Sequence, residues 1–324
     1  MARRVPLARI IVPDEAKLLR MRRVIEVAVG YKEVGGRRTR RLCVALFVSR
    51  KLSRVRKADR IPSSARILVP AGRRLYRERR VPTDVISMPW LAEHSGGGHD
   101  RFFEDEIPCG AGIKATGGDL GTLGWVVRDK ADGSDLILSA AHVLFPGSKI
   151  NRSSGKRKRI IRQPSASQKK IGKGLRRAMN EFDEVLELDA AVATIAAAPR
   201  QLVRRFASTG VPKPAGTLRE VDLRPGLRVH HSGARSGFGV GEASHCSTGD
   251  CGVTPPQTII IRRPDGVTKA PSKRGDSGAL WLSREDDVTA NKLVGLNYEG
   301  NGHDFSLVIP IWRILDHGRL NIQL

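Results

Sequence analysis

Two kinds of hydrophobic patterning divide the chain. Residues 14–23 follow Pro13, open on two acids and close on basic residues, which predicts a short helix. Residues 24–30 alternate as a strand, Val34-Gly35-Gly36-Arg37 predicts a hairpin turn, 42–48 the returning strand and 81–86 a last strand. Together these predict a small α/β unit over residues 1–90. A run of Ser95-Gly96-Gly97-Gly98 marks 91–108 as a linker. From residue 109 onward, short apolar runs recur between Gly, Pro and Asp turns. They fall at 121–127, 136–139, 189–195, 227–231, 258–261, 279–282, 292–296 and 306–309, and only 311–317 reads as a helix. Many short strands with frequent turns predict an all-β sandwich or barrel, and residues 109–324 are enough for two packed β-barrels. No internal repeat or low-complexity tract interrupts this pattern.

Composition changes the picture through charge. The 324 residues carry a net charge of +24, unevenly placed. Residues 1–90 hold 24 Lys/Arg against 7 Asp/Glu, and 151–180 hold 11 Lys/Arg and no acid, so the rest of the chain is close to neutral. A basic front and a basic insertion at 151–180 attract polyanions or acidic proteins in general, and equally describe a solvated Arg-rich surface. The insertion has no interleaved aromatics, which argues against base stacking. A phosphate-backbone or acidic-protein contact, a lid over the cleft and a plain surface loop all remain open for it. No stretch approaches the roughly 18 apolar residues of a membrane-spanning helix, and the basic first nine residues are not followed by a signal-peptide core. Four cysteines in a chain of this length make no disulfide framework, so a reducing, cytoplasmic setting is expected.

Three segments carry candidate chemistry. In Leu138-Ser139-Ala140-Ala141-His142-Val143 an apolar strand runs into small residues and one histidine, leaving room around an imidazole able to take and return a proton. In Leu188-Asp189-Ala190-Ala191 an acid opens a small, apolar strand. A half-buried carboxylate there needs a donor, and an imidazole N–H would serve, fixing the histidine tautomer in return. Asp183, Glu184 and Glu187 compete from a more polar stretch and rank behind Asp189. In Arg274-Gly275-Asp276-Ser277-Gly278-Ala279 the glycines permit a tight turn that aims the N–H groups of Gly275 and Ser277 at one point, an oxyanion hole beside a Ser277 nucleophile.

Histidine, aspartate and serine in this order, 47 and 88 residues apart, resemble the chymotrypsin/trypsin-like serine peptidases. Within that class the chain looks most like the narrow-leaf-type bacterial and plant trypsin-like peptidases. That likeness runs through Val27-Ala28-Val29-Gly30, Cys43-Val44-Ala45-Leu46-Phe47-Val48, Gly121-Thr122-Leu123-Gly124, Ser232-Gly233-Ala234-Arg235 and Gly275-Asp276-Ser277-Gly278. The resemblance implies a mainly β fold, a chymotrypsin-like double β-barrel preceded by a small α/β domain. It also implies a cofactor-free serine endopeptidase with a Ser277–His142–Asp189 triad, acting on proteins or peptides, whose front domain supports self-association. Val143 stands where digestive relatives have a cysteine, consistent with a reduced compartment. With a whole domain ahead of the barrels, Asp276 needs a donor other than a newly cut N-terminus. Residues 269–274 should border the primary specificity pocket, and Asn297, Tyr298, Glu299 and Gly300 the opposite wall, where main chain can pair with an extended substrate. Glu299 suggests basic substrates or a charge-balancing surface acid.

Weaker signals point elsewhere. Cys246 and Cys251 beside His245 suggest zinc at first sight, but no second pair follows at finger spacing, so no metal is expected. His230 and His231 on one strand face opposite ways. His94, His99, His303 and His317 read as surface residues. A second function class, a polyanion-binding or assembly module using the basic front domain with weak or lost proteolysis, also fits the charge split.

Overall fold

The computed structural model describes residues 6–324, apart from 22–23, 36, 49–50, 52–59, 73–74, 88–98, 102, 104, 147–159, 164–168, 180–185, 197–199, 248–256 and 285–289. In the front segment a 3-10 turn and the five-residue helix α1 (Glu15–Leu19) precede four strands: β1 (Val24–Val34), β2 (Arg37–Val48), β3 (Ser64–Gly72) and β4 (Leu75–Ser87). The expected hairpin is present, with Gly35 at a φ of 59° in its turn, a conformation that glycine adopts without steric cost. β4 returns parallel to β2 and antiparallel to β3. The helical share is smaller than an α/β reading implies: α1 covers half of the stretch expected to be helical, and strands dominate.

Next come β5 (Glu106–Cys109), β6 (Gly112–Ala115), β7 (Gly121–Thr122), β8 (Trp125–Asp129), β9 (Asp135–Ser139) and the single helical turn α2 (Ala141–Leu144). They are followed by β10 (Ile160–Arg162), β11 (Lys170–Met179), β12 (Leu186–Ile195) and β13 (Gln201–Phe206). β7 and β8 form one bent run: β7 pairs with β6 and β8 with β9, while β9, β12, β11, β10 and β6 pair in succession. The path closes on itself as a barrel. Two expectations change here. Within the basic insertion, residues 160–162 and 170–179 are barrel wall rather than loop or lid, as β10 and β11; its residues 151–159, 164–168 and 180 fall outside the described residues. Bulges along β11 break simple alternation but keep apolar and small positions inside: Ile171 and Ala178 are fully buried while Lys170 and Lys173 face water. Arg176 is drawn in as well, bonding the Asp129 carboxylate at 2.7 Å and the Leu320 carbonyl at 2.9 Å. The later part of the expected linker is also ordered structure, because β5 runs parallel to β13.

The remaining strands are β14 (Gly216–Thr217), β15 (Leu227–Gly233), β16 (Gly237–Ser247), β17 (Ile259–Arg262), β18 (Leu280–Ser283), β19 (Lys292–Gly300) and β20 (Phe305–Pro310), then helix α3 (Ile311–Asp316) and β21 (Ile322–Gln323). β15, β18, β19, β20, β17 and β16 pair in that order, and β16 pairs back to β15, which closes a second barrel. This arrangement is consistent with the expected double-barrel architecture. β15 parts from β16 at Ala243, and β1 takes over the vacated edge at His245, Cys246 and Ser247. The front sheet thus continues the second barrel. Val27, Ala28 and Val29, and Cys43 through Phe47, are fully buried. Val27, Val29, Val44 and Leu46 share one apolar cluster with Val229, Ile261, Trp281 and Val308 of the barrel. Burying each such side chain is worth about 1.5–3 kcal/mol. Gly30 permits the close join, because a Cβ there would lie 2.1 Å from the His245 ring.

Candidate active site

The histidine turn is built by small residues. β9 ends at the buried Ser139, Ala140 and Ala141 let α2 sit flat on the barrel, and Val143 fills the space left by Gly121. His142 projects from this turn with its side chain half exposed. β12 pairs with β9 through Ala191 and Ser139, which brings Asp189 beside α2. Both carboxylate oxygens serve His142: Oδ1 accepts its backbone N–H at 2.9 Å, and Oδ2 lies 2.6 Å from Nδ1. A carboxylate can only accept, so Nδ1 carries the proton and Nε2 keeps its lone pair. Burial alone would depress the imidazole pKa. The hydrogen bond and charge of Asp189, with the charges of Glu299 and Asp119, outweigh it and hold the value above the ordinary histidine range.

The serine segment, residues 273–279, lies between β17 and β18 and turns on Gly275 and Gly278, at φ of 102° and 97°. Its inner peptides are pinned on alternate sides. Thr122 donates its hydroxyl to the Gly275 carbonyl at 2.9 Å and its N–H to the Ser277 carbonyl at 2.8 Å. Asp276 N–H donates to the Lys273 carbonyl at 2.9 Å, and Gly278 N–H to the Asn297 carbonyl at 2.6 Å. The N–H groups of Gly275 and Ser277 have no acceptor among the described residues. The Ser277 hydroxyl donates to the Tyr298 carbonyl at 3.1 Å and makes no hydrogen bond with His142. The segment nevertheless rests against the histidine strand: a Cβ on Gly278 would sit 2.1 Å from Ser139 Oγ.

Asp276 is fully buried and holds this segment from behind. Its Oδ1 accepts the N–H groups of Arg235 at 2.8 Å and Ser236 at 3.0 Å, and Oδ2 that of Lys273 at 2.7 Å. The donors that sequence reasoning left open are therefore backbone amides of the β15–β16 turn and of the segment itself. Residues 269–274 are tied to both barrels, Arg274 to the first and the others to the second. Lys269 donates to the Ser236 and Phe238 carbonyls, Ser272 bonds Ser306 at 2.6 Å and Arg274 pairs with Asp119.

The four residues expected along the substrate wall divide. The Asn297 side chain faces inward, accepting from Trp281 Nε1 at 3.2 Å and donating to the Asp276 carbonyl at 3.3 Å, so it anchors the serine segment. Tyr298 is a bulge residue with its ring buried and its hydroxyl toward Thr258. Glu299 is exposed and Gly300 half-buried. β18 leaves β19 at Leu296, so beyond Asn297 that edge of β19 has no neighbouring strand among the described residues.

Other candidates are placed as follows. Asp183, Glu184, His94 and Cys251 lie outside the described residues. Glu187 bonds His317 at 3.0 Å. His317 is mostly buried rather than a surface residue, and so in part is His99, whose ring Nε2 sits 2.8 Å from Ser208 Oγ and whose backbone N–H donates to the Ala234 carbonyl. Cys246 is buried, its thiol donating to the Gln257 carbonyl, and burial pushes its pKa up. His230 and His231 face opposite sides of β15; His231 packs on Trp281 and bonds the Pro271 carbonyl at 2.8 Å. Sequence reasoning missed Thr122 and Ser139 as parts of the site. A small β-branched or hydroxyl residue inside a predicted strand carries no local sign of what its hydroxyl will meet.

No protein family and no curated protein matches the sequence. Among solved structures the chain is similar in fold to bacterial proteases. Protease A of Thermobifida fusca is 18% identical, with 68% of this chain and 98% of that chain covered and a TM-score of 0.44. A Nocardiopsis protease is 17% identical, with the same coverages and a TM-score of 0.42. The chymotrypsin of Cellulomonas bogoriensis is 17% identical over 65% of this chain and 94% of that one, at a TM-score of 0.42. These likenesses concern the fold alone; the chemistry rests on the site itself.

Proposed function

We propose that the chain is a serine endopeptidase. Ser277 attacks the scissile carbonyl, His142 takes its proton at Nε2 and returns it to the leaving amine, and Asp189 holds the imidazole in the required tautomer. The N–H groups of Gly275 and Ser277 receive the oxyanion. The substrate main chain adds along the open edge of β19 near Tyr298–Gly300. The observation that carries this reading is the pair of acceptor-free N–H groups beside a serine hydroxyl, in a segment packed on the strand of a carboxylate-anchored histidine. In the free protein the hydroxyl rests on the Tyr298 carbonyl and must leave it before the imidazole can act, a rearrangement of the kind that substrate binding drives. A fluorophosphonate probe is expected to label the wild type and to miss Ser277→Ala; equal labelling of both would overturn the assignment.

The pH profile tests the histidine. A general base works only when neutral, so kcat/KM rises as pH passes upward through its pKa. With that pKa held above the ordinary histidine value of about 6.5, the acid limb falls on the high side of it. Glu299 contributes to the upward shift. Glu299→Gln is therefore expected to move the limb to lower pH without abolishing turnover, as read from kcat/KM against pH.

A further inference from the structure

We infer that Thr122, on the opposite barrel from the serine, is a positioning residue that sets the direction of the oxyanion-binding N–H groups. This rests on the peptidase reading and goes beyond it, because Thr122 touches neither substrate nor nucleophile hydroxyl.

Thr122 is fully buried, and all of its polar groups are spent on the site. Its hydroxyl donates to the Gly275 carbonyl at 2.9 Å and accepts from Ala234 N–H at 3.0 Å. Its N–H donates to the Ser277 carbonyl at 2.8 Å, and its carbonyl accepts from Ser139 Oγ at 2.7 Å. One residue thereby joins three pieces: the serine segment, the 234–236 turn that holds Asp276, and the end of the strand leading to His142.

Peptide planes convert these bonds into aim. The Gly275–Asp276 peptide is held at its oxygen by Thr122 Oγ1 and at its nitrogen by the Lys273 carbonyl. The Ser277–Gly278 peptide is held at its oxygen by Thr122 N–H and at its nitrogen by the Asn297 carbonyl. These two planes alternate with the two whose N–H groups are acceptor-free, Arg274–Gly275 and Asp276–Ser277, of which the second is also held at its oxygen by Ala279 N–H at 2.9 Å and Asn297 Nδ2 at 3.3 Å. Each peptide is rigid, so the only freedom lies in the φ and ψ between them, and locking alternate planes restricts the others. At Gly275, where glycine at a φ of 102° gives the plane more freedom, the hydroxyl bond adds a second hold to that of the Lys273 carbonyl.

The geometry also explains the residue type. Valine has the shape of threonine but cannot donate to Gly275 or accept from Ala234. Serine has the hydroxyl but lacks the methyl that limits its rotamers. Thr122→Val is expected to lower the second-order rate of fluorophosphonate labelling and kcat about 10- to 100-fold, the effect of a small misplacement at a reacting centre. KM and the acid limb of the pH profile should stay unchanged, because neither binding nor His142 is touched. Thr122→Ser is expected to recover most of the loss. Hydrogen exchange read on the peptide covering 273–279 should be faster in Thr122→Val than in wild type, with the strands of both barrels unaffected. Wild-type labelling together with wild-type exchange in Thr122→Val would overturn the inference. A wild type inert to the probe, with exchange still accelerated in Thr122→Val, would overturn the peptidase reading while supporting the hold of Thr122 on the segment. Accelerated exchange throughout the barrels would show a merely structural role and overturn the inference as well.

Discussion

Asp189→Asn is expected to lower kcat by about four orders of magnitude while leaving the fold intact, the size of loss that follows when a triad histidine is held in the wrong tautomer. Both Asp189 oxygens are committed to His142, one to the backbone N–H and one to Nδ1. An asparagine satisfies the backbone N–H with its carbonyl oxygen, and its NH2 then faces Nδ1. A donor in that place makes Nδ1 the acceptor and moves the ring proton to Nε2, where no proton can be taken from Ser277. The missing charge acts in the same direction: without the carboxylate, burial depresses the imidazole pKa unopposed by its main partner. Steady-state kinetics on a chromogenic peptide, with circular dichroism as a control for folding, measure this. A loss of less than tenfold would remove Asp189 from the proposed role.

Asp276→Ala is expected to cost about 3 kcal/mol or more in stability, together with most of the activity. Three N–H groups, those of Arg235, Ser236 and Lys273, end on its carboxylate in the interior. Removing a buried acceptor leaves each donor with a desolvation penalty of about 1–3 kcal/mol. Against a typical total of 5–15 kcal/mol this is a large share. Urea unfolding followed by fluorescence should show a lower midpoint with little change in slope. Activity falls because the serine segment loses its rear support between Lys273 and the 234–236 turn. Asp276→Asn is expected to rescue only part of the stability, since its oxygen can replace Oδ1 but its NH2 confronts the Lys273 N–H.

What could be read from the sequence depended on how local the cause was. The strand running into Ser139-Ala140-Ala141-His142 is legible because only small residues permit α2 to lie flat on the barrel. The strands from 227 to 309 are legible because each is apolar and bounded by turn residues. β11 is not, since Lys170, Lys173, Arg176 and Arg177 hide the buried positions Ile171, Gly172, Gly174 and Ala178 behind charge, and bulges break their period. The front segment misleads for the opposite reason. Val27-Ala28-Val29 and Cys43 to Phe47 are apolar without interruption, the mark of a strand covered on both faces, and the second cover is a barrel some two hundred residues away. Asp276 shows the same limit from another side. Its need for a donor is legible, whereas the identity of that donor depends on where the 234–236 turn lands in space.

The seat of β1 on the edge of β16 has a bearing on how the molecule holds together. Where β15 peels away, His245, Cys246 and Ser247 would otherwise present a row of bare amides and carbonyls, an invitation to any passing strand. The hairpin of residues 24–48 closes that flank and also roofs Cys246, Ile259 and Trp281. Front and rear are therefore welded rather than hinged. Stripping the hairpin off would uncover sticky backbone and greasy interior at the same moment, on the same strand whose other end turns back to grip Asp276.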